Sequence, residues 1–182
     1  MKIAPFLWML LIATAGTASA QSTIAETLKG ESWMSYRMVH PLHTFDAKST
    51  SVEYKLDIDP SAKEIKTVAA QVDVTTFDSG NSNRDSHAME VIDAITYPDV
   101  TFTSTGVTQR GDSVSVAGKL TFHGITNDIV VAAKPVWSAN RLDVDGNFDL
   151  SLTAFKIERP SLLMMPVQDN VRFTFHAAFA WK

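Results

Sequence analysis

Apolar and polar residues alternate one by one over most of this chain. Val52, Tyr54, Leu56 and Ile58 alternate with Glu53, Lys55, Asp57 and Asp59. Val114, Val116, Gly118, Leu120 and Phe122 alternate with Ser113, Ser115, Ala117, Lys119 and Thr121. The same rhythm holds for Val68, Ala70, Val72 and Val74, for Leu142 through Leu152, and for Val171, Phe173, Phe175, Ala177 and Phe179. A period of two places successive side chains on opposite faces of a strand, so each segment has one apolar and one wet face. Shorter segments of strand character occupy residues 34–39, 100–104 and 129–136.

These segments make about eight strands. Asp59-Pro60-Ser61, Gln109-Arg110-Gly111-Asp112, His123-Gly124 and Ser138-Ala139-Asn140 supply the turns between them. Hairpin spacing predicts an antiparallel meander. A sheet apolar on one face must bury that face, either by closing into a barrel or by packing as a sandwich. One stretch breaks the period: Ala88, Val91, Ile92 and Ile95 recur at helical spacing. The spacing predicts a short helix over about residues 83–95. Ser82 or Asn83 is placed to cap it, Asp85 falls in its first turn, and Pro98 ends it. Residues 160–166 are expected to form a second short helix or an ordered loop.

The first twenty residues read as a secretory signal: Lys2, then an apolar run from Phe6 to Ala13, then Ala18-Ser19-Ala20 as a small-x-small cleavage site. The run is shorter than the ~20 residues that span a bilayer. Removing residues 1–20, with their single lysine, leaves 162 residues and changes the net charge from −4 to −5. Export to the periplasm is expected, with no membrane span after cleavage, a short tail over 21–30 and one domain over 31–182. The chain has no cysteine, which excludes disulfides, thiol chemistry and thiolate-bound metals. The acidic balance and the lack of any basic run argue against nucleic acid as a partner.

The polar residues offer few catalytic constellations. Among the five histidines, His40 and His43 are closest, but Pro41 between them rules out a helical ligand pair, and zinc needs three or four converging ligands. A metal or redox role for His40 and His43 with a third histidine stands as one alternative. A hydrolase built on Asp85-Ser86-His87 is a second, weakened by the absence of a Gly-x-Ser-x-Gly elbow. No Walker loop or Gly-x-Gly-x-x-Gly is present, and no cofactor is expected. Ser79-Gly80-Asn81-Ser82-Asn83 leads into a helix N-terminus that an anion can approach, although pairing of Arg84 with Asp78, Asp85 or Asp93 is the simpler reading. The phenylalanines lie in or beside strands and Met164 adjoins Met165. They suit either a filled core or a barrel that holds one small ligand.

Four motifs carry a family resemblance. FDSGNSNRDSH at 77–87, YPDVTFTS at 97–104 and GKLTFHGIT at 118–126 occur in order and together resemble the YceI-like family of secreted, lipocalin-like proteins. FKIERPSLL at 155–163 resembles a branch of that family, which also carries the upstream HPLH at 40–43. The resemblance implies an all-β fold: an antiparallel eight-stranded lipocalin-like barrel closed at one end by the helix. It implies a long apolar tunnel for a polyisoprenoid or another long-chain amphiphilic lipid, and no established enzymatic activity. Homodimers occur in the family, so a second copy counts among the expected partners. Strand parity then assigns Phe77, Met89, Ile92, Phe102, Phe122, Leu150, Phe155, Leu163, Met164 and Phe173 to the tunnel wall. Asn81, Arg84 and His87 are the candidates for contact with a headgroup.

Overall fold

The computed structural model describes residues 22–181. The signal segment read in residues 1–20 lies outside them. The strands are β1 (Thr23–Glu26), β2 (Trp33–His40), β3 (His43–Ser49), β4 (Glu53–Asp59), β5 (Glu64–Asp73), β6 (Asp99–Arg110), β7 (Ser113–Phe122), β8 (Ile125–Trp137), β9 (Arg141–Ser151) and β12 (Asn170–Ala180). The helix α1 (Ser82–Val91) follows β5, and a small hairpin, β10 (Ser161–Leu162) with β11 (Met165–Pro166), precedes β12. Among the described residues, no helix is long and apolar enough to cross a membrane.

The ten strands form one sheet in the order β1-β4-β5-β6-β7-β8-β9-β12-β2-β3, and its strand pairs are all antiparallel. The meander from β4 to β9 follows the hairpin spacing, and β12 returns to join β9 to β2. The sheet curls so that its margins meet. Thr27, just past β1, bridges Phe179 of β12, and Lys48 of β3 bridges Asp78 beyond β5. Curling turns the apolar face of every long strand inward and leaves little sheet edge exposed. In β7, the buried residues are Val114, Val116, Gly118, Leu120 and Phe122, the set that alternation selects.

All eight expected strands are present, and two more join them. β1 comes from the segment expected to be a tail, and only Ala25 in it is buried. β3 has no apolar stripe: Phe45, Ala47 and Ser49 share a face, between Asp46 and Lys48. Its place is set by the hairpin with β2, in which Arg37 Nε donates to Asp46 Oδ1 at 2.7 Å. β6 runs well past residue 104 because a bulge between Ser104 and Gly106 resets its register with β7. The segment 160–166, expected as a short helix or an ordered loop, is a small two-stranded hairpin.

The helix is shorter than its apolar spacing predicts. Asn81, rather than Ser82 or Asn83, is the cap, and its side chain accepts from the Arg84 N–H at 3.1 Å. Asp85 sits in the first turn as expected. The helix stops at Val91, and Asp93 takes a left-handed φ of 47°. The chain must turn there because Asp99 pairs with Asp73 at the end of β5. Ile95, the last member of the predicted stripe, is therefore 98% exposed.

Candidate functional site

The curled sheet encloses a cavity of about 190 Å³, bounded by 37 residues from β2, β4 to β9, β12, α1 and the loops beside them. Its wall is almost wholly apolar. Gln71 is among the lining residues, and its amide turns outward to donate to Asp99 at 3.2 Å.

Two glycines shape the interior. A Cβ on Gly118 would stand 2.4 Å from the Phe102 ring, and one on Gly146 would stand 2.3 Å from the Phe175 ring. The bare backbone at these two positions thus gives room to both rings, which themselves line the cavity. Phe148 and Phe173 stack at 4.9 Å between centroids and with nearly parallel planes, forming another part of the wall.

Of the residues assigned to the tunnel by parity, Phe77, Met89, Ile92, Phe102, Phe122, Leu150 and Phe173 line this cavity. Three do not. Phe155 is 2% exposed and packs behind the wall against Phe122, 5.8 Å between centroids. Leu163 and Met164 form the loop of the β10–β11 hairpin and point to solvent. Their apolar character suggested burial, but a two-residue loop has no interior side. Parity also permits Met34, Tyr36 and Met38 on one face of β2, and all three line the cavity although they were not among the expected residues.

Besides Gln71, the lining residues Tyr36 and Tyr54 carry a polar side-chain atom, and Tyr54 is the more deeply buried. Its ring lies against Phe175 and Phe179, at 5.8 and 6.4 Å. Its hydroxyl is buried with no hydrogen-bond partner among the described residues. Burial pushes its pKa far up, so it stays a neutral phenol. An unpaired buried hydroxyl is destabilising. Tyr54→Phe is expected to raise unfolding stability by roughly 1–2 kcal/mol; urea denaturation showing equal or lower stability would refute this.

The three headgroup candidates sit at the helix start. The Asn81 side chain is used as the cap. Arg84 pairs with none of the three expected aspartates. Its Nε and Nη2 donate to the Ser79 hydroxyl at 2.8 Å and the Ser79 carbonyl at 2.7 Å, and its guanidinium lies 4.2 Å over the Phe45 ring. His87 is exposed and faces Glu90 at 3.7 Å. Asn81 and Arg84 thus form a local network, while His87 stands apart. Near them Tyr36 contacts Phe77 and Phe173, and its hydroxyl pKa is pushed up to about 12, chiefly by burial and then by Asp85, with Arg84 opposing.

The alternative sites do not assemble. Asp85 accepts from the Ser79 N–H and hydroxyl, whereas Ser86 and His87 point outward, so the three make no relay. His40 is buried with both ring nitrogens engaged: Nε2 meets the Met165 carbonyl at 2.8 Å and Nδ1 accepts from the Leu42 N–H at 3.1 Å. His43 stacks on Phe45. Among the described residues, no three His, Cys, Asp or Glu side chains are grouped to hold a metal. His40 instead ties the turn at 40–43 to the hairpin at 161–166.

A curled antiparallel sheet around an apolar cavity, with one short helix at its end, defines a lipocalin-like barrel. The sequence profile of the YceI-like domain matches residues 15–179, and the chain belongs to that family. A UPF0312 protein of Vibrio vulnificus is 28% identical over 158 residues, covering 81% of this chain and 84% of the relative. Protein YceI of Escherichia coli O157:H7 is 26% identical over 139 residues, covering 71% and 66%. BcnA of Burkholderia cenocepacia superposes with a TM-score of 0.75 at 22% identity, covering 84% of this chain and 98% of that one. A polyisoprenoid binding domain from Saccharophagus degradans, implicated in plant cell wall breakdown, superposes with a TM-score of 0.70 at 14% identity, covering 89% and 100%. At these identities the structural likenesses establish the fold.

Proposed function

We propose that this protein binds a long-chain amphiphilic lipid, polyisoprenoid-like or fatty-acid-like, with the chain threaded through the cavity. The observation that carries this reading is the cavity itself, enclosed by the curled sheet and almost wholly apolar in its wall. The polyisoprenoid-binding character of a structural neighbour supports it. Burying ten methylene-like carbons contributes about 8 kcal/mol before association costs. Those costs remove a large share, and micromolar binding remains attainable without a charged contact. Few directional groups are needed, so chain identity is read loosely. The signal-like residues 1–20 support export, with carriage or storage of lipid in the periplasm.

Protein purified from its native compartment, then denatured and extracted, is expected to release a prenyl or other long-chain lipid by mass spectrometry. Added prenyl alcohol is expected to raise the melting temperature of delipidated protein. Failure of both would remove the basis for this reading.

A further inference from the structure

The β10–β11 hairpin breaks the usual turn chemistry. Its pairs, Ser161 with Pro166 and Leu162 with Met165, leave Leu163 and Met164 as a two-residue loop. Both take left-handed φ values, 52° and 64°. A tight hairpin of this geometry favours Asn-Gly, because other side chains strain at positive φ. Here a leucine and a methionine occupy both positions, and they are 73% and 96% exposed. Backbone strain and water both disfavour them, so fold stability does not account for the choice.

The tip is also rigidly placed. The Val167 N–H donates to the Pro160 carbonyl at 2.9 Å, closing the hairpin base. The Gln168 N–H donates to the Val39 carbonyl at 2.8 Å, and His40 holds Met165. Leu42, itself 56% exposed, stands beside the hairpin through the His40 ring. Pro160, at the base of the same hairpin, lines the cavity.

We infer that Leu42, Leu162, Leu163 and Met164 insert into the surface of a lipid bilayer and hold the adjoining cavity against it for uptake and release of lipid. The uptake half of this inference rests on the lipid-binding reading above. A ligand of that chemistry resides in bilayers, so a protein that loads it must meet one. Four side chains on two neighbouring turns fall far short of the roughly 20–30 residues a side of a stable protein interface. A few inserted apolar side chains suffice for weak, reversible membrane contact.

The test is flotation of the exported chain with vesicles of phosphatidylethanolamine and phosphatidylglycerol. Wild type is expected to float, and the Leu163→Asn, Met164→Gly double variant to float at least about fivefold less. The same variant is expected to melt at a higher temperature, because Asn-Gly suits the turn. It should also load a polyisoprenol from detergent as fully as wild type. Val130→Thr, an exposed apolar site on the outer face of β8, should float like wild type. Equal flotation of wild type and the tip variant would overturn the inference. So would a wild type that self-associates through the tip, in sedimentation, without floating. If wild type floats by its tip yet takes up no polyisoprenol from detergent, the lipid-binding reading fails and the membrane contact stands.

Discussion

Gly146→Ala is expected to lower stability by roughly 1–3 kcal/mol, the range for overpacking a close-packed interior. It is also expected to weaken lipid binding about tenfold, or about 1.4 kcal/mol. The added Cβ would stand 2.3 Å from Phe175 Cζ and 2.8 Å from the backbone oxygen of Ala132. Backbone oxygen cannot yield, so the ring must. The ring lies over Gly146 on the inner face, and its way out is into the lumen, where a chain would pass. Shrinking the ring relieves its part of the conflict and leaves the contact with the Ala132 oxygen: Phe175→Leu in the same protein is expected to recover part of the lost stability. The two substitutions touch, so their effects should couple rather than add. Denaturation of the four members of the cycle, with prenyl alcohol binding to each, checks this. Additive effects would show that the ring does not depend on the bare backbone at Gly146. Gly118 and Phe102 form an equivalent pair and should behave alike.

Much of this architecture is legible as strand parity. The alternation in β4, β5, β7, β9 and β12 marks which side chains face inward, and seven of the ten residues expected in a tunnel wall line the cavity, three of them, Phe77, Met89 and Ile92, from outside the strands. What parity misses has physical causes. β3 presents Phe45, Ala47 and Ser49 on one face, too weak an apolar signal, because its position comes from pairing with β2. Ile95 keeps helical spacing with Val91 and Ile92, yet the return to β6 ends the helix first. Leu163 and Met164 are apolar in type but sit where the chain reverses. Tyr54 falls in the inward set, but the isolation of its hydroxyl depends on Phe175 and Phe179 from a strand more than 100 residues away. Arg84 shows the same limit: three aspartates lie near it in sequence, and it bonds to Ser79 instead.

Phe155→Ala separates packing from lining. The ring is fully buried against Phe122, and the turn that carries it is fastened to the β7–β8 hairpin. His123 Nδ1 meets the Phe155 carbonyl at 3.0 Å, and the Asn127 amide donates to the Ala154 carbonyl at 2.8 Å. Removing the ring leaves a void that these bonds prevent from collapsing, so a loss of about 3–5 kcal/mol is expected. Phe155 does not line the cavity, so the folded variant should bind prenyl alcohol within about twofold of wild type, a difference of roughly 0.4 kcal/mol. Phe173→Ala removes a ring of similar size from the wall and from its stack on Phe148. It should both destabilise the fold and shift the preferred chain towards bulkier lipids. Equal binding defects in the two variants, measured below their melting temperatures, would mean that Phe155 reaches the ligand and that the wall of the cavity lies deeper than Phe122.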